Sequence, residues 1–148
     1  MVAQTGANKT VKIQQEVFKE ICSTLKQYRY ETGGIVATDD NGVICKFCMD
    51  RITTPGLFEY VPDTAFLSEV INGDWQRQKL TFAGFVHSHP DNDIISSGDM
   101  AYGREILKVN RSLSRILIGV IDVSSDEDSI KWTFVGLDSA EDSATETV

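Results

Sequence analysis

Residues 80–99 read LTFAGFVHSHPDNDIISSGD, and the rest of the chain is best read outward from them. Leu80 to His87 is a predominantly apolar run that predicts a strand. Pro90 cannot donate to a strand ladder, so it should end the strand there and release the chain into a loop. Ser96-Ser97-Gly98-Asp99 then opens a helix to about Asn110, with Ile106, Leu107 and Val109 as its apolar positions. Arg115 to Val123 is a continuous apolar run suited to a strand buried on both faces.

Toward the N-terminus, Val11 to Ile13 reads as a short strand, and Met1 to Thr10 as polar and small. Val17, Phe18, Ile21, Cys22, Leu25 and Tyr28 recur at helical spacing and predict a helix ending near Arg29. Gly34 to Thr38 and Val43 to Met49 are strand-like runs on either side of Asp39-Asp40-Asn41-Gly42, a hairpin pattern. Asp63 offers an N-cap for a helix carrying Phe66, Leu67, Val70 and Ile71, with Asn72-Gly73 as its expected stop. Ser124 to Ser129 reads as an acidic turn into a last strand, Ile130 to Val135. Helices interspersed with strands indicate an α/β (α+β) layer fold, a mixed central sheet flanked by helices. The 148 residues suit one domain. Its expected span is 1–137, followed by an acidic tail, 138–148, with too little to bury to be ordered.

A formal net charge of −8 and the lack of any arginine-rich stripe argue against a nucleic-acid partner. No apolar run approaches the length of a membrane span, and the first residues do not resemble a secretory signal, which reads as cytoplasmic. Three cysteines are an odd number and too few for a secreted disulfide framework. Cys45 and Cys48 form a Cys-x-x-Cys inside a strand, without a following helix to lower a thiolate pKa, and read as small buried hydrophobes.

Both histidines of the chain lie within Val86-His87-Ser88-His89-Pro90. Residues i and i+2 of a strand share a face, so His87 and His89 can present two imidazoles side by side, natural ligands for Zn²⁺. Asp99, at the start of the next helix, offers a third ligand. Three protein ligands leave the fourth tetrahedral position open, as in a catalytic rather than a structural zinc site. Hydrolysis needs a base as well, and the spacing does not choose among Glu31, Glu59 and Glu69.

His87-Ser88-His89-Pro90 followed by Ser96-Ser97-Gly98-Asp99 resembles the His-x-His, loop, Ser-x-x-Asp signature of the JAMM (JAB/MPN) zinc metalloproteases. Glu31-Thr32-Gly33-Gly34-Ile35 is similar to the family's Glu-x-Gly-Gly opening of an early strand, so the resemblance spans most of the chain. Ser-x-Gly-Asp with Tyr102 beyond it looks like the compact bacterial members. The resemblance implies an MPN-like single domain binding one zinc through His87, His89 and Asp99, with Glu31 as general base and Ser96 stabilising the oxyanion. Six residues separate His89 from Ser96, where the family usually places seven. Counting from His89 therefore indicates Ser97, and counting back from Asp99 indicates Ser96. Ser96 is the choice here, because residues three apart at a helix start fall on nearly the same face.

The activity implied is hydrolysis of an isopeptide or peptide bond at the C-terminus of a ubiquitin-like protein, alongside activating and conjugating enzymes. The alternative is a non-catalytic MPN-type interaction module, against which the presence of every ligand and of the glutamate argues. Whether Phe58, Tyr60 or Trp75 line a groove or only pack stays open at this stage.

Overall fold

Val17, Phe18, Ile21, Cys22 and Leu25 form one buried stripe, which is why the segment carrying them is a helix packed on a sheet. The structure, a computed structural model, describes residues 2–4, 10–28, 31–51 and 62–139. In chain order the elements are β1 (Val2–Gln4), β2 (Thr10–Ile13), α1 (Gln15–Leu25), β3 (Gly33–Thr38), β4 (Val43–Met49), α2 (Thr64–Val70), β5 (Thr81–His89), α3 (Ser97–Val109), β6 (Arg115–Asp122) and β7 (Trp132–Asp138). The strands form one mixed sheet in the order β1-β2-β4-β3-β5-β6-β7, parallel at β2/β4 and β5/β6 and antiparallel elsewhere. On one face α1 packs over Ile13, Val36, Ile44, Val86, Leu117 and Ile121. On the other, Leu67 of α2 and Leu107 of α3 cover Ile35, Phe82, Phe85, Ile116 and Ile118. This is the mixed α/β domain expected.

β5 is irregular in one place that matters for everything downstream. Opposite β3, Val36 pairs with Gly84 but Ala37 pairs with Phe82, so Ala83 is an extra residue and the strand is bulged. The bulge lets Phe82 and Phe85 face the same core. From Phe85 onward simple alternation resumes, with Val86 turned toward α1 and His87 and His89 toward the α3 side. Gly84 is required at the bulge, since a Cβ there would overlap the Leu117 carbonyl of β6.

Several sequence expectations are corrected. Asn72-Gly73 does not stop the second helix: the chain continues through a π-helical turn, Ile71–Trp75, because Trp75 is drawn into the core at 1% exposure. Trp75 therefore packs and lines no groove, while Phe58 and Tyr60 lie outside the described residues. Val109, read as an apolar position of α3, is 79% exposed. The first helix ends at Leu25 and not near Arg29. β5 runs on through His89, two residues past the apolar run and up to the stop at Pro90. The last strand is displaced from the expected 130–135 to Trp132–Asp138, and Ser139 N donates to Ser114 O. Val2–Gln4, within the stretch read only as polar and small, pairs antiparallel with β2. Among the described residues no helix is long and apolar enough to cross a membrane.

Gly84→Ala should destabilise the domain by about 1–3 kcal/mol, the usual range for overpacking, read as a lowered denaturation midpoint. A parent-like midpoint would show that the β5/β6 contact relaxes freely.

Candidate metal centre

His87 and His89 leave the same face of β5, and their rings meet edge to face with centroids 4.8 Å apart. Two carboxylates close on them. Glu31 Oε1 lies 3.6 Å from His87 Nδ1 and 3.6 Å from His89 Nε2. Asp99 Oδ1 lies 3.1 Å from His87 Nε2, and its Oδ2 lies 3.9 Å from His89 Nε2. All four side chains are largely withdrawn from water, with 6% exposure for His87, 13% for His89, 17% for Glu31 and 20% for Asp99.

Each carboxylate is held by its own local structure. Asp99 is the third residue of α3 and forms a reciprocal capping box with Ser96. Asp99 N donates to Ser96 Oγ at 3.0 Å, and Ser96 N donates to Asp99 Oδ2 at 3.0 Å. Glu31 precedes β3, and its neighbour Thr32 is tied to β5 between the two histidines. Ser88 N donates to Thr32 O at 2.8 Å, and Thr32 N donates to Ser88 Oγ at 3.0 Å. Ser88 and Thr32 are both buried. Sequence reasoning missed this tie. Its one signal was a small hydroxyl residue between two histidines, on the strand face opposite them.

Burial alone would favour neutral His87, but the hydrogen-bonding and charge of Asp99 and Glu31 outweigh it and raise its pKa to about 9. Burial would likewise raise Asp99, yet His87 and the Ser96 bonds dominate and lower it to about 2. A pair of carboxylates that keeps a proton on a buried imidazole favours any cation there. Glu31, His87 and His89 each offer one donor atom, and these lie within 4.8 Å of one another, a grouping able to hold a metal ion. Asp99 abuts both imidazoles. The donors, two nitrogens and carboxylate oxygens, suit zinc.

An open cleft beside the cluster is lined in part by Glu31, His89, Asn92, Ile94, Ser96 and Asp99, and Ser97 is not among its lining residues. Glu69 sits exposed on α2, outside this cluster, and Glu59 lies beyond the described residues. Burial pushes the thiols of Cys22, Cys45 and Cys48 above their usual range, the reverse of a reactive thiolate.

No protein-family model matches the chain, and no curated protein matches it. Solved structures do. The solution structure of protein DSY2949 from Desulfitobacterium hafniense is similar at 12% identity and a TM-score of 0.57, over 84% of this chain and 90% of that one. The crystal structure of AF2198, a JAB1/MPN domain protein from Archaeoglobus fulgidus, is similar at 17% identity and a TM-score of 0.51, over 84% of this chain and 87% of that one. The fold is therefore MPN-like.

Replacing His87, His89 or Asp99 with Ala should each lower the metal content of the purified protein, measured by elemental analysis, whereas Glu31→Gln should retain it. Loss of metal from Glu31→Gln alone would make Glu31 the third ligand in place of Asp99. In the metal-free protein, protonated His87 contributes stability that is full below pH 6.5 and lost as pH rises through about 9. The Asp99 contribution is full above 3.8 and lost as pH falls through about 2. Urea midpoints of the chelator-treated parent, compared with His87→Gln, should differ most between about pH 4 and 6.5. A pH-independent difference would refute this pairing.

Proposed function

We propose that the protein is a zinc-dependent isopeptidase or peptidase of the JAMM kind, acting at the C-terminus of a ubiquitin-like protein to deconjugate or mature it. The observation that carries this reading is the convergence of Glu31, His87, His89 and Asp99 beside an open cleft on an MPN-like fold. The substrate class comes from the motif resemblance. Cognate activating and conjugating enzymes would be its partners, and a cytoplasmic setting accords with three free cysteines.

His87, His89 and Asp99 would hold the ion. Asp99 suits that role over Glu31 because the capping box already fixes it and it makes the shorter approach to His87. When bound, zinc supplies Lewis acidity toward water and toward the scissile carbonyl. Glu31, close to both rings but left outside the ligand set, would take a proton from the attacking water and later give it to the leaving amine. Ser96 accepts the Asp99 N–H through its oxygen, so its own O–H remains available to donate to the carbonyl oxygen as negative charge grows there. No covalent intermediate with the protein is required. A non-catalytic module would have no use for a proton acceptor poised between two imidazoles.

Incubation with a ubiquitin-like conjugate should give cleavage that a zinc chelator abolishes. Glu31→Gln should reduce turnover by roughly 10² to 10⁴ fold with metal retained, the range for losing a general base. Activity within twofold of the parent would end the assignment of Glu31. Ser96→Ala should slow turnover by roughly 10² to 10³ fold and, as loss of an N-cap, cost about 1 kcal/mol of stability. Ser97→Ala should be close to neutral in both. If Ser97→Ala with zinc bound is the slower enzyme, the serine assignment is wrong.

A further inference from the structure

The ring of His89 has a second nitrogen, and its surroundings differ from those of His87. Both nitrogens of His87 face carboxylates. At His89, Nε2 faces Glu31 and Asp99, while Nδ1 lies 3.1 Å from the side-chain oxygen of Asn92 in the loop after β5. The orientation of this amide is settled by its other partners. Asn92 Oδ1 also receives the N–H of Ile94 at 2.9 Å, and a main-chain N–H only donates, so that atom is the oxygen. Asn92 Nδ2 donates to the Asp91 carboxylate at 3.0 Å, which only accepts.

An amide oxygen cannot donate, so its contact with Nδ1 is favourable only when Nδ1 carries the hydrogen. A neutral imidazole protonated on Nδ1 has its lone pair on Nε2, the nitrogen aimed into the cluster. We propose, resting on the zinc reading above, that Asn92 is a positioning residue of the metal centre: it selects the His89 tautomer and ring orientation that offer Nε2 to the ion. The loop holding Asn92 is itself anchored to the sheet, since Thr133 Oγ1 of β7 donates to Asp93 Oδ2 at 2.9 Å. The cleft wall and the ligand geometry are thus joined through one side chain.

The test is titration of the full-length, metal-stripped protein with zinc against a competing chelator, together with ¹⁵N spectra of the imidazoles in the metal-stripped protein. Asn92→Ala should weaken zinc binding by roughly ten- to a hundredfold, the usual cost of removing such a partner. Asn92→Asp, which preserves the acceptor, should bind within a few fold of the parent. His89 Nδ1 should carry the proton in the parent and in Asn92→Asp. A merely structural role for Asn92 would leave that ring signal unchanged in Asn92→Ala. Parent-like zinc affinity in Asn92→Ala overturns the proposal alone, whereas failure of the parent to bind zinc overturns the metal reading and the proposal with it.

Discussion

The bulge at Ala83 and Gly84 governs where the chemistry can be. β5 lies between β3 and β6 and is covered on both faces, so each of its side chains must commit to one core or the other. An extra residue at Ala83 lets two large aromatics, Phe82 and Phe85, enter the α2/α3 core. The alternation that follows sends His87 and His89 to the same side, at the end of the strand where α3 begins. A one-residue slip would turn the histidines toward α1 and put Ser88 where an imidazole belongs. Close packing of Gly84 on the Leu117 carbonyl opposes that slip, because no larger residue fits the contact.

Once the histidines are placed, electrostatics decides what the site tolerates. Two imidazoles shielded from water would ordinarily stay neutral, since burial disfavours the charged form. Asp99 and Glu31 reverse that preference at His87. The carboxylates themselves are oriented by main-chain geometry, Asp99 through its capping box and Glu31 through the tie between Thr32 and Ser88. The protein's own main chain thus holds the four side chains of the cluster together. Preorganisation of this kind is what lets fixed polar groups act strongly in a site shielded from solvent.

What could be read from the sequence follows the range of the interactions involved. Strand alternation, the proline stop after His89, the hairpin around Asp39 to Gly42 and the cap at Asp63 are local, and each is present. The MPN-like fold was legible through the motif. Features set by distant contacts were not. Asn72-Gly73 would stop an isolated helix, but burial of Trp75 outweighs it. Val109 has apolar chemistry but falls on the outer side of α3, where Leu107 already takes the inward position. The partners of Ser88 and Asn92 depend on rings and backbone whose placement only the folded chain reveals.

The loop between His89 and Ser96, one residue shorter than in the motif it resembles, raises the question of how the proposed serine would be positioned. A capping box is a relation between residues three apart, made by the helix start itself, so Ser96 and Asp99 move as one unit whatever the length of the preceding loop. The loop has only to deliver that unit to the end of β5. Asn92 tightens its turn by accepting the Ile94 N–H, and Asp93 fixes its outer side to Thr133. Both contacts use side chains within the loop and leave the helix cap untouched. Counting forward from His89 follows the loop, whose length varies, while counting back from Asp99 follows the helix, whose geometry does not. The helix count is therefore the physically grounded one, and the proposal of Ser96 rests on it.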